Sequence, residues 1–427
     1  MARIGTLILI ALVSPAAALV GFGQDVDDPP IRYSKTPASD PVALLKTRLQ
    51  KGAVRLTYHP ARGYLDSFLN ALGISPSSQL LVFSKTSFQR DFISPLTPRA
   101  LYFNDDVYVG WVQGGPVLEV SAADPQLGGV FYVVEQDPEG PKIHRQQHEC
   151  LSCHESGLTG NLPGHTVRSV LTLRDGLPTF NAGTYVTGPA SPFEERWGGW
   201  YVTGNAPGLT HLGNLTFGSA AEANAPERAR GTAVPSLSPY CSTRPYLTAH
   251  SDLVAHLVLA HQVEVHNRIT RASYETRRAL AFEAALQREL GRDTRLDSTT
   301  RRIGSVCEPL VRSLLCAGEA PLPGPVAGSS GYASWFARQG ARDRKGRSLR
   351  ELDLRTRLFR YPCSFLIQSG TFTALPPEAK SYVYRRLEEV LSGKDASREF
   401  SHLTPPDRRA IREILADTLP DFPAAPR

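Results

Sequence analysis

The sequence is short of methionine and of long apolar runs. Met1 is the only methionine among 427 residues, and after one apolar run near the N-terminus no second stretch reaches the length of a membrane span. Internal repeats and low-complexity segments are also lacking, which excludes a solenoid. The net charge of +6 is spread over a chain with 41 acidic residues and comes with no nucleic-acid-binding motif, so we expect no nucleic-acid partner.

The first 23 residues have the layout of a secretory signal peptide. Arg3 supplies an early positive charge, an apolar run extends from Ile4 to Val13, and the small residues Ala16 and Ala18 fit a cleavage site. The apolar run is short for a membrane anchor. We therefore expect export, cleavage, and a periplasmic or secreted mature protein without an integral membrane span. An uncleaved anchor is the alternative.

The apolar patterns after residue 23 predict an α+β fold. Residues 24–135 form a mixed α+β region with short strands, residues 136–245 a loop-rich region with many Gly and Pro residues, and residues 246–427 a mainly helical region. These regions form either separate domains or one integrated domain. The predicted strands are Leu80–Phe83, Ala100–Phe103, Val107–Val112, Val117–Val120 and Val130–Val134, and the predicted helices are Asp40–Gln50, Gly63–Leu72, Ser251 to about Leu290, Tyr382–Leu391 and Pro406–Leu415, with a further helical stretch near residue 308.

One motif in the loop-rich region carries chemistry. Cys150, Cys153 and His154 form the pattern C-x-x-C-H, which is typical of covalent haem attachment. Two thiols at this spacing can reach two carbons on one edge of a porphyrin, and the next residue places an imidazole over the iron. The alternatives are a zinc site, which lacks a second cysteine pair, a redox dithiol, which lacks a strand-to-helix setting, and a disulfide, which leaves His154 unexplained.

Through these three residues the sequence resembles the c-type cytochromes. The resemblance implies one covalent haem c, bound through Cys150 and Cys153, with His154 as the proximal ligand of its iron and a redox role in an exported bacterial protein. It does not extend to the small three-helix cytochrome fold, because the surrounding chain is rich in Gly, bears strands and is much longer.

The shortage of methionine bears on the sixth iron ligand. Because export should remove Met1, the mature protein cannot use the His/Met ligation of many electron carriers. Three histidines are candidate distal ligands: His261 and His266 in the long predicted helix, and His211 in a loop. His165 and His250 stay open as well. A Lys side chain or water at the sixth position, or an open position, would also agree with the sequence.

Four cysteines remain after the motif, and an even number in an exported chain favours two disulfides. Cys307 and Cys316 are close in sequence, which would leave Cys241 and Cys363 to close a long loop. Sequence alone leaves three pairings open.

Two functions follow from the motif. The first is single-electron transfer with an unknown redox partner protein. The second is a haem enzyme or gas-binding protein with an open distal site, comparable to a peroxidase, because a pure carrier needs far fewer residues. A scaffold in which the haem is structural is a third interpretation. The sequence identifies no catalytic residue and no substrate.

Overall fold

The N-terminal half is built around an antiparallel sheet of six strands. The computed structural model describes residues 25–225, 230–291 and 294–422, so the expected signal peptide lies outside the described residues. Each strand pairs with the next along the chain. The strands are β1 Leu80–Val82, β2 Arg99–Phe103, β3 Val107–Trp111, β4 Val117–Asp124, β5 Gly128–Glu135 and β6 Ile143–Gln146.

Helices dominate the second half of the chain, and a two-stranded hairpin of β7 Val167–Val170 and β8 Thr184–Thr187 lies between the halves. The helices are α1 Pro41–Gln50, α2 Leu65–Ala71, α3 Leu151–His154, α4 Ala220–Asn224, α5 Leu253–Leu290, α6 Asp297–Leu314, α7 Tyr332–Arg338, α8 Gly370–Thr373, α9 Pro377–Leu391 and α10 Pro405–Thr418. The predicted α+β fold, with strands first and helices later, is confirmed.

The two faces of the sheet have different environments. In β4, Leu118, Val120 and Ala122 are buried and belong to the core that also holds side chains of α1 and α2. Glu119 and Ser121 alternate with them and are only half-buried. A period of two in burial is what a strand with one covered face requires. The second face is only partly covered at β4, whereas at β1 to β3 its residues Leu80, Phe103 and Tyr108 are buried in the core of the helical half.

The longest helix, α5, starts at a different cap from the one expected. The sequence favours Ser251 as the N-cap, but Asp252 has this role, since its carboxylate accepts from the backbone N–H groups of Val254 and Ala255 at 2.9 and 3.0 Å. The Ser251 hydroxyl instead donates to the carbonyl of Tyr201 at 2.5 Å. The helix thus begins one residue later, because Ser251 ties the preceding segment to the loop-rich region.

The helix α5 connects the sheet to the helical half. Its Gln262 amide donates to the hydroxyl of Tyr108 in β3 at 2.8 Å and to the carbonyl of Asn104, in the turn before β3, at 2.7 Å. Its apolar face packs with α6 in the larger of the two main cores. Among the described residues, no helix combines the length and the hydropathy needed to cross a membrane.

The boundary predicted at residue 135 cuts through the sheet. β6 lies beyond it and pairs with β5, with Val134 opposite Ile143 and Phe131 opposite Gln146. The sequence of β6 has a single strongly apolar residue, so its pattern does not predict a strand. As a result, the C-x-x-C-H motif directly follows an edge strand of the main sheet.

Candidate functional site

The C-x-x-C-H motif forms a single helical turn, α3. The amide of His154 donates to the carbonyl of Cys150 at 3.0 Å, and the amide of Cys153 donates to the same carbonyl at 3.2 Å. Residues three apart lie on the same side of such a turn, so the two cysteines are neighbours on one surface. The turn ends at Glu155, and the Ser156 side chain caps the short 3₁₀ turn that follows.

The two thiols differ in exposure. Cys153 is exposed, whereas Cys150 is half-buried against the sheet. Burial, reinforced by the nearby carboxylates Glu119 and Glu149, raises the pKa of the Cys150 thiol to about 11. Redox dithiols of the C-x-x-C type work with a lowered thiol pKa. The residues before the motif do not predict a strand, but β6 precedes α3, so a strand-to-helix setting is present. The raised pKa of Cys150 nevertheless argues against a redox dithiol.

The His154 imidazole is anchored through one nitrogen. Its Nδ1 lies 2.9 Å from the carbonyl oxygen of Gly164, and its ring packs on Phe131 with centroids 4.5 Å apart. Within the described part of the chain, its Nε2 has no hydrogen-bond partner. Burial lowers the pKa of His154 below its ordinary value, so the ring is neutral near pH 7. A neutral imidazole with Nδ1–H on a carbonyl is the usual state of a metal-binding histidine.

Gly164 fixes the position of the His154 ring, and the space around Gly164 leaves little room for a side chain. Its amide donates to the carbonyl of His154 at 2.9 Å, so the two residues are joined by a pair of hydrogen bonds. A Cβ at this position would lie 2.5 Å from Oδ1 of Asn267 on α5. The His154 ring is thus positioned by a loop that is itself packed tightly against α5.

A charged pair lies on the sheet beside the motif. Arg99 of β2 and Glu119 of β4 form a salt bridge of 2.8 Å, with both side chains about four-fifths buried at 21% and 16% exposure. Between them, β3 has Gly110, where a Cβ would lie 2.2 Å from the Arg99 guanidinium. Arg99 lowers the pKa of His154 and Glu119 raises that of Cys150, so both charges are close to the motif.

The residues of α3 fit a covalently bound haem. The two thiols lie on one side of the turn, and the Nε2 of His154, which has no hydrogen-bond partner among the described residues, can ligate an iron. Arg99, paired with Glu119, places a cation beside the turn. The site thus has the set of donor atoms that a covalent haem needs.

His261 and His266 are committed to other contacts. His261 has both ring nitrogens bonded, Nδ1 to Glu319 at 2.6 Å and Nε2 to Ser364 at 2.8 Å. The Nε2 of His266 lies 2.7 Å from the carbonyl oxygen of Asp105. Among the described contacts, neither histidine has a hydrogen bond or ring contact with the three motif residues.

His211 lies in a loop, where its ring stands edge-on to Trp197 at 4.9 Å and its Nδ1 accepts from the amide of Gly213 at 3.0 Å. Its buried Nε2 has no hydrogen-bond partner among the described residues. The structure therefore gathers Cys150, Cys153 and His154 and leaves the three distal candidates elsewhere; their role as ligands stays a prediction.

The histidine that the structure brings near His154 is His165, whose role the sequence leaves open. It is 6% exposed, and its ring lies 5.9 Å from that of Phe131, which also packs on His154. The Asn267 side chain bonds both backbone groups of His165, at 3.0 and 2.8 Å. Its buried Nε2 lacks a hydrogen-bond partner within the described ranges. The only sequence signal is its place eleven residues after His154 in a Pro-Gly-His turn.

Comparison with known proteins gives no matching family model, no matching curated protein and no matching solved structure.

The four remaining cysteines are free, buried thiols in the structure. Cys307 lies within α6, seven residues before its last residue, which corresponds to about 10 Å of helical rise. A disulfide needs its two Cα atoms within about 7 Å, so a bridge from Cys307 to Cys316 would require the end of α6 to unwind. Cys316 is instead close enough to Cys363 for that thiol to contribute to its raised pKa. Which cysteines pair stays a prediction.

Proposed function

We propose that the protein carries one covalent haem c and transfers single electrons in the periplasm or after secretion. The observation that carries this proposal is the His154 ring, whose Nδ1 is held by the carbonyl of Gly164 while its Nε2 has no partner among the described residues. This is the state an imidazole needs before it binds iron. Two cysteines on the same turn supply the attachment points.

Each side chain has a distinct task in this proposal. Cys150 and Cys153 would hold the ring edge, and the His154 Nε2 would bind the iron. The Gly164 carbonyl keeps the proton on Nδ1, and the Phe131 ring keeps the imidazole from rotating. A bound haem would supply reversible one-electron chemistry of the iron, and without methionine its ligation would favour a lower potential than His/Met.

The test is production of the full chain in a bacterium that has a haem-attachment system. We expect a pyridine haemochrome spectrum of haem c and an intact mass larger by one haem. The double variant Cys150→Ala, Cys153→Ala should lose both signals. The matched control is Ser152→Ala in the same turn, because the exposed Ser152 hydroxyl bonds only local groups of the turn, chiefly the carbonyl of Glu149. Unmodified, colourless wild-type protein would refute the proposal.

The second candidate function, a haem enzyme or gas-binding protein, is favoured by the hydrogen bonds that already engage His261 and His266. If no histidine reaches the sixth position, the iron would have a free site. Carbon monoxide separates the two functions: slow or no binding to the reduced protein supports electron transfer, and rapid binding supports an open distal site.

A further inference from the structure

A second cluster of metal-binding side chains lies in the helical half, far along the chain from the C-x-x-C-H motif. One ring nitrogen of His261, the thiol sulfur of Cys316 and a carboxylate oxygen of Glu319 all lie within 4.8 Å of one another. His261 is fully buried, Cys316 is 8% exposed, and the Glu319 side chain is 17% exposed. Imidazole nitrogen, thiolate sulfur and carboxylate oxygen are the three kinds of ligand atom that zinc takes in proteins.

The backbone at Cys316 supports a special role for this residue. Cys316 follows the end of α6 with φ of +54°, in the left-handed region. The amide of Ala317 closes the helix end by donating to the carbonyl of Arg312 at 2.9 Å. Glycine is the usual residue at such a helix end because a side chain is strained there. A cysteine in its place turns a thiol towards His261 and Glu319.

His261 has the second contact that a metal-binding histidine needs. Its Nδ1 faces Glu319, while its Nε2 lies 2.8 Å from the hydroxyl of Ser364. Ser364 is buried and is itself held by its amide, which donates to the carbonyl of Leu314 at 2.7 Å. The ring also stands edge-on to Phe359 at 4.8 Å. Hydrogen bonds of this type fix the orientation of an imidazole and make it a better ligand.

The cluster opens into a cavity of about 720 Å³, whose wall includes Cys316 and Glu319. The wall also carries Arg196, Arg312 and Arg398, with Arg357 and His402 nearby on the same lining. Arg312 is paired with Glu399, whereas the Arg196 guanidinium bonds the backbone carbonyls of Pro189 and Ser191. Arg357 is likewise paired, with Asp407. Among the described residues, Arg196 and Arg398 thus have no carboxylate partner within salt-bridge distance, and their charge makes the cavity favour an anion.

We propose that His261, Cys316 and Glu319 bind a divalent transition metal, with zinc as the best match, and that its fourth position faces the cavity and takes an oxygen of a small anion. Ligand atoms on one tetrahedral zinc are about 3.3 to 3.6 Å apart. The His261 Nδ1 and the Glu319 oxygen, now 2.6 Å apart, would therefore move slightly away from each other. Three protein ligands with an open fourth position are the pattern of zinc sites that act on bound molecules. This site does not depend on the proposed haem.

The first test measures zinc in the full-length, haem-loaded protein. We expect one zinc per chain after dialysis, and zinc K-edge absorption with one sulfur at about 2.3 Å and nitrogen or oxygen at about 2.0 to 2.1 Å. The absorption edge is specific to zinc, so haem iron does not interfere. Zinc at trace levels, a shell without sulfur, or a disulfide between Cys316 and Cys363 in the purified protein would each overturn the proposal.

Variants separate this site from adventitious zinc. Cys316→Ser and Glu319→Gln should weaken zinc binding by about 100-fold or more, and Ser364→Ala by about 10- to 100-fold. The matched control is Cys241→Ser, a buried thiol in the core of the sheet, away from the cluster; its zinc affinity should stay within about 3-fold of wild type. If Cys316→Ser does not fold, the zinc affinity of the near-isosteric variant Glu319→Gln decides whether the cluster binds the metal. Equal affinity in the control and in Glu319→Gln would mean adventitious zinc only.

A third measurement tests the open position. Inorganic phosphate is titrated by calorimetry into the zinc-loaded and the zinc-free protein. We expect at least a 10-fold higher phosphate affinity with zinc bound, and a loss of most of that gain in Glu319→Gln. Identical phosphate affinity in the two forms would refute an exchangeable anion position on the metal.

Discussion

Two histidines illustrate how the surroundings of one residue type set its chemistry. His154 and His261 each have one nitrogen held by an oxygen of the fold, Gly164 in the first case and Ser364 in the second. The other nitrogen of His154 has no partner among the described residues, whereas that of His261 faces a carboxylate. The first arrangement suits an incoming iron, and the second suits a site that already includes an anionic ligand.

Asp106, at the turn between β2 and β3, gives a prediction at the residue scale. The pKa of the Asp106 carboxyl is raised to about 6, mainly by burial and next by the negative charge of Asp105. A raised pKa means that the folded protein holds the proton more tightly than the unfolded chain does. The stabilisation is therefore complete below about pH 4 and is lost as the pH rises through 6. We expect Asp106→Asn to match wild type at low pH and to exceed its stability near pH 8 in urea unfolding.

The neighbouring Asp105 is the control for this prediction. Its carboxylate pairs with the Arg350 guanidinium, which is largely buried between the rings of Phe336 and Phe365. Asp105→Asn should destabilise the protein near pH 8, where Asp106→Asn is expected to stabilise it, because it leaves a buried cation without its partner. If Asp106→Asn also lowers stability at pH 8, then the Asp106 carboxyl is not destabilising in its ionised form.

At the scale of elements, the helix α5 depends on its first cap. Asp252 is fully buried; one of its oxygens caps the helix, and the other accepts from the amides of Ser329 and Ser330 at 2.6 and 2.7 Å. Asp252→Ala should cost about 4 kcal/mol of unfolding free energy, the sum of a lost cap and of two buried donors without an acceptor. Equilibrium unfolding in urea measures this loss.

The exposed cap of α10 provides the comparison. Thr404 accepts from the amide of Asp407 at 3.2 Å and is exposed to solvent. Thr404→Ala removes the cap and the hydroxyl's solvent-exposed hydrogen bond to the Asp407 carboxylate, so the expected loss is about 1 kcal/mol. Equal losses for Asp252→Ala and Thr404→Ala would show that the bonds to the serine loop contribute nothing.

The elements that the sequence predicts well are those whose own residues determine their pattern. The alternation in β4 and the apolar stripe of α5 are local signals, and both elements are present with small shifts of their ends. The sequence does not predict β6, β7 or β8, because the extended conformation of each depends on pairing with a neighbouring strand and not on a local apolar pattern. The cap of α5 is misplaced by one residue because Ser251 bonds Tyr201, a contact that sequence spacing does not reveal.

The candidate sites differ in the same way. The C-x-x-C-H motif is contiguous and is found from its spacing, but its support from Gly164 and Phe131 comes from a loop and a strand that meet it in space. His261 and Cys316 are 55 residues apart in the sequence. Their proximity arises where the end of α6 meets α5, so no motif could have predicted it.

For the whole molecule, buried histidines predict sensitivity to acid. His165, His211, His256 and His266 are all buried, and burial is the main cause that lowers the pKa of each, to about 4 for His211 and about 3 for His256. In the unfolded chain these histidines bind protons near pH 6.5, whereas in the folded chain they stay neutral at that pH. Stability should therefore fall as the pH drops from about 7 to 4, by about 1.4 kcal/mol per pH unit for each histidine that differs.

Urea unfolding at several pH values checks this trend. Carboxyl groups with a raised pKa, such as Asp106, act in the opposite direction and offset only part of it. His211→Asn should reduce the slope by about one proton in this range, because it removes one of the buried bases. A stability that is flat between pH 7 and 5 would contradict the prediction.

The way α5 crosses the sheet has a practical consequence for shortening the protein. The hydroxyl of Tyr274 donates to the carbonyl of Leu127, which precedes it by 147 residues, and Arg277 donates to the carbonyls of Gln126 and Pro30. A fragment that stops before α5 would lose the helix that covers one end of its sheet. A fragment that starts at α5 would have Tyr274 and Arg277 without the carbonyl groups to which they donate. A shortened protein should therefore keep residues 25–422 uninterrupted, behind the N-terminal segment that is expected to direct export.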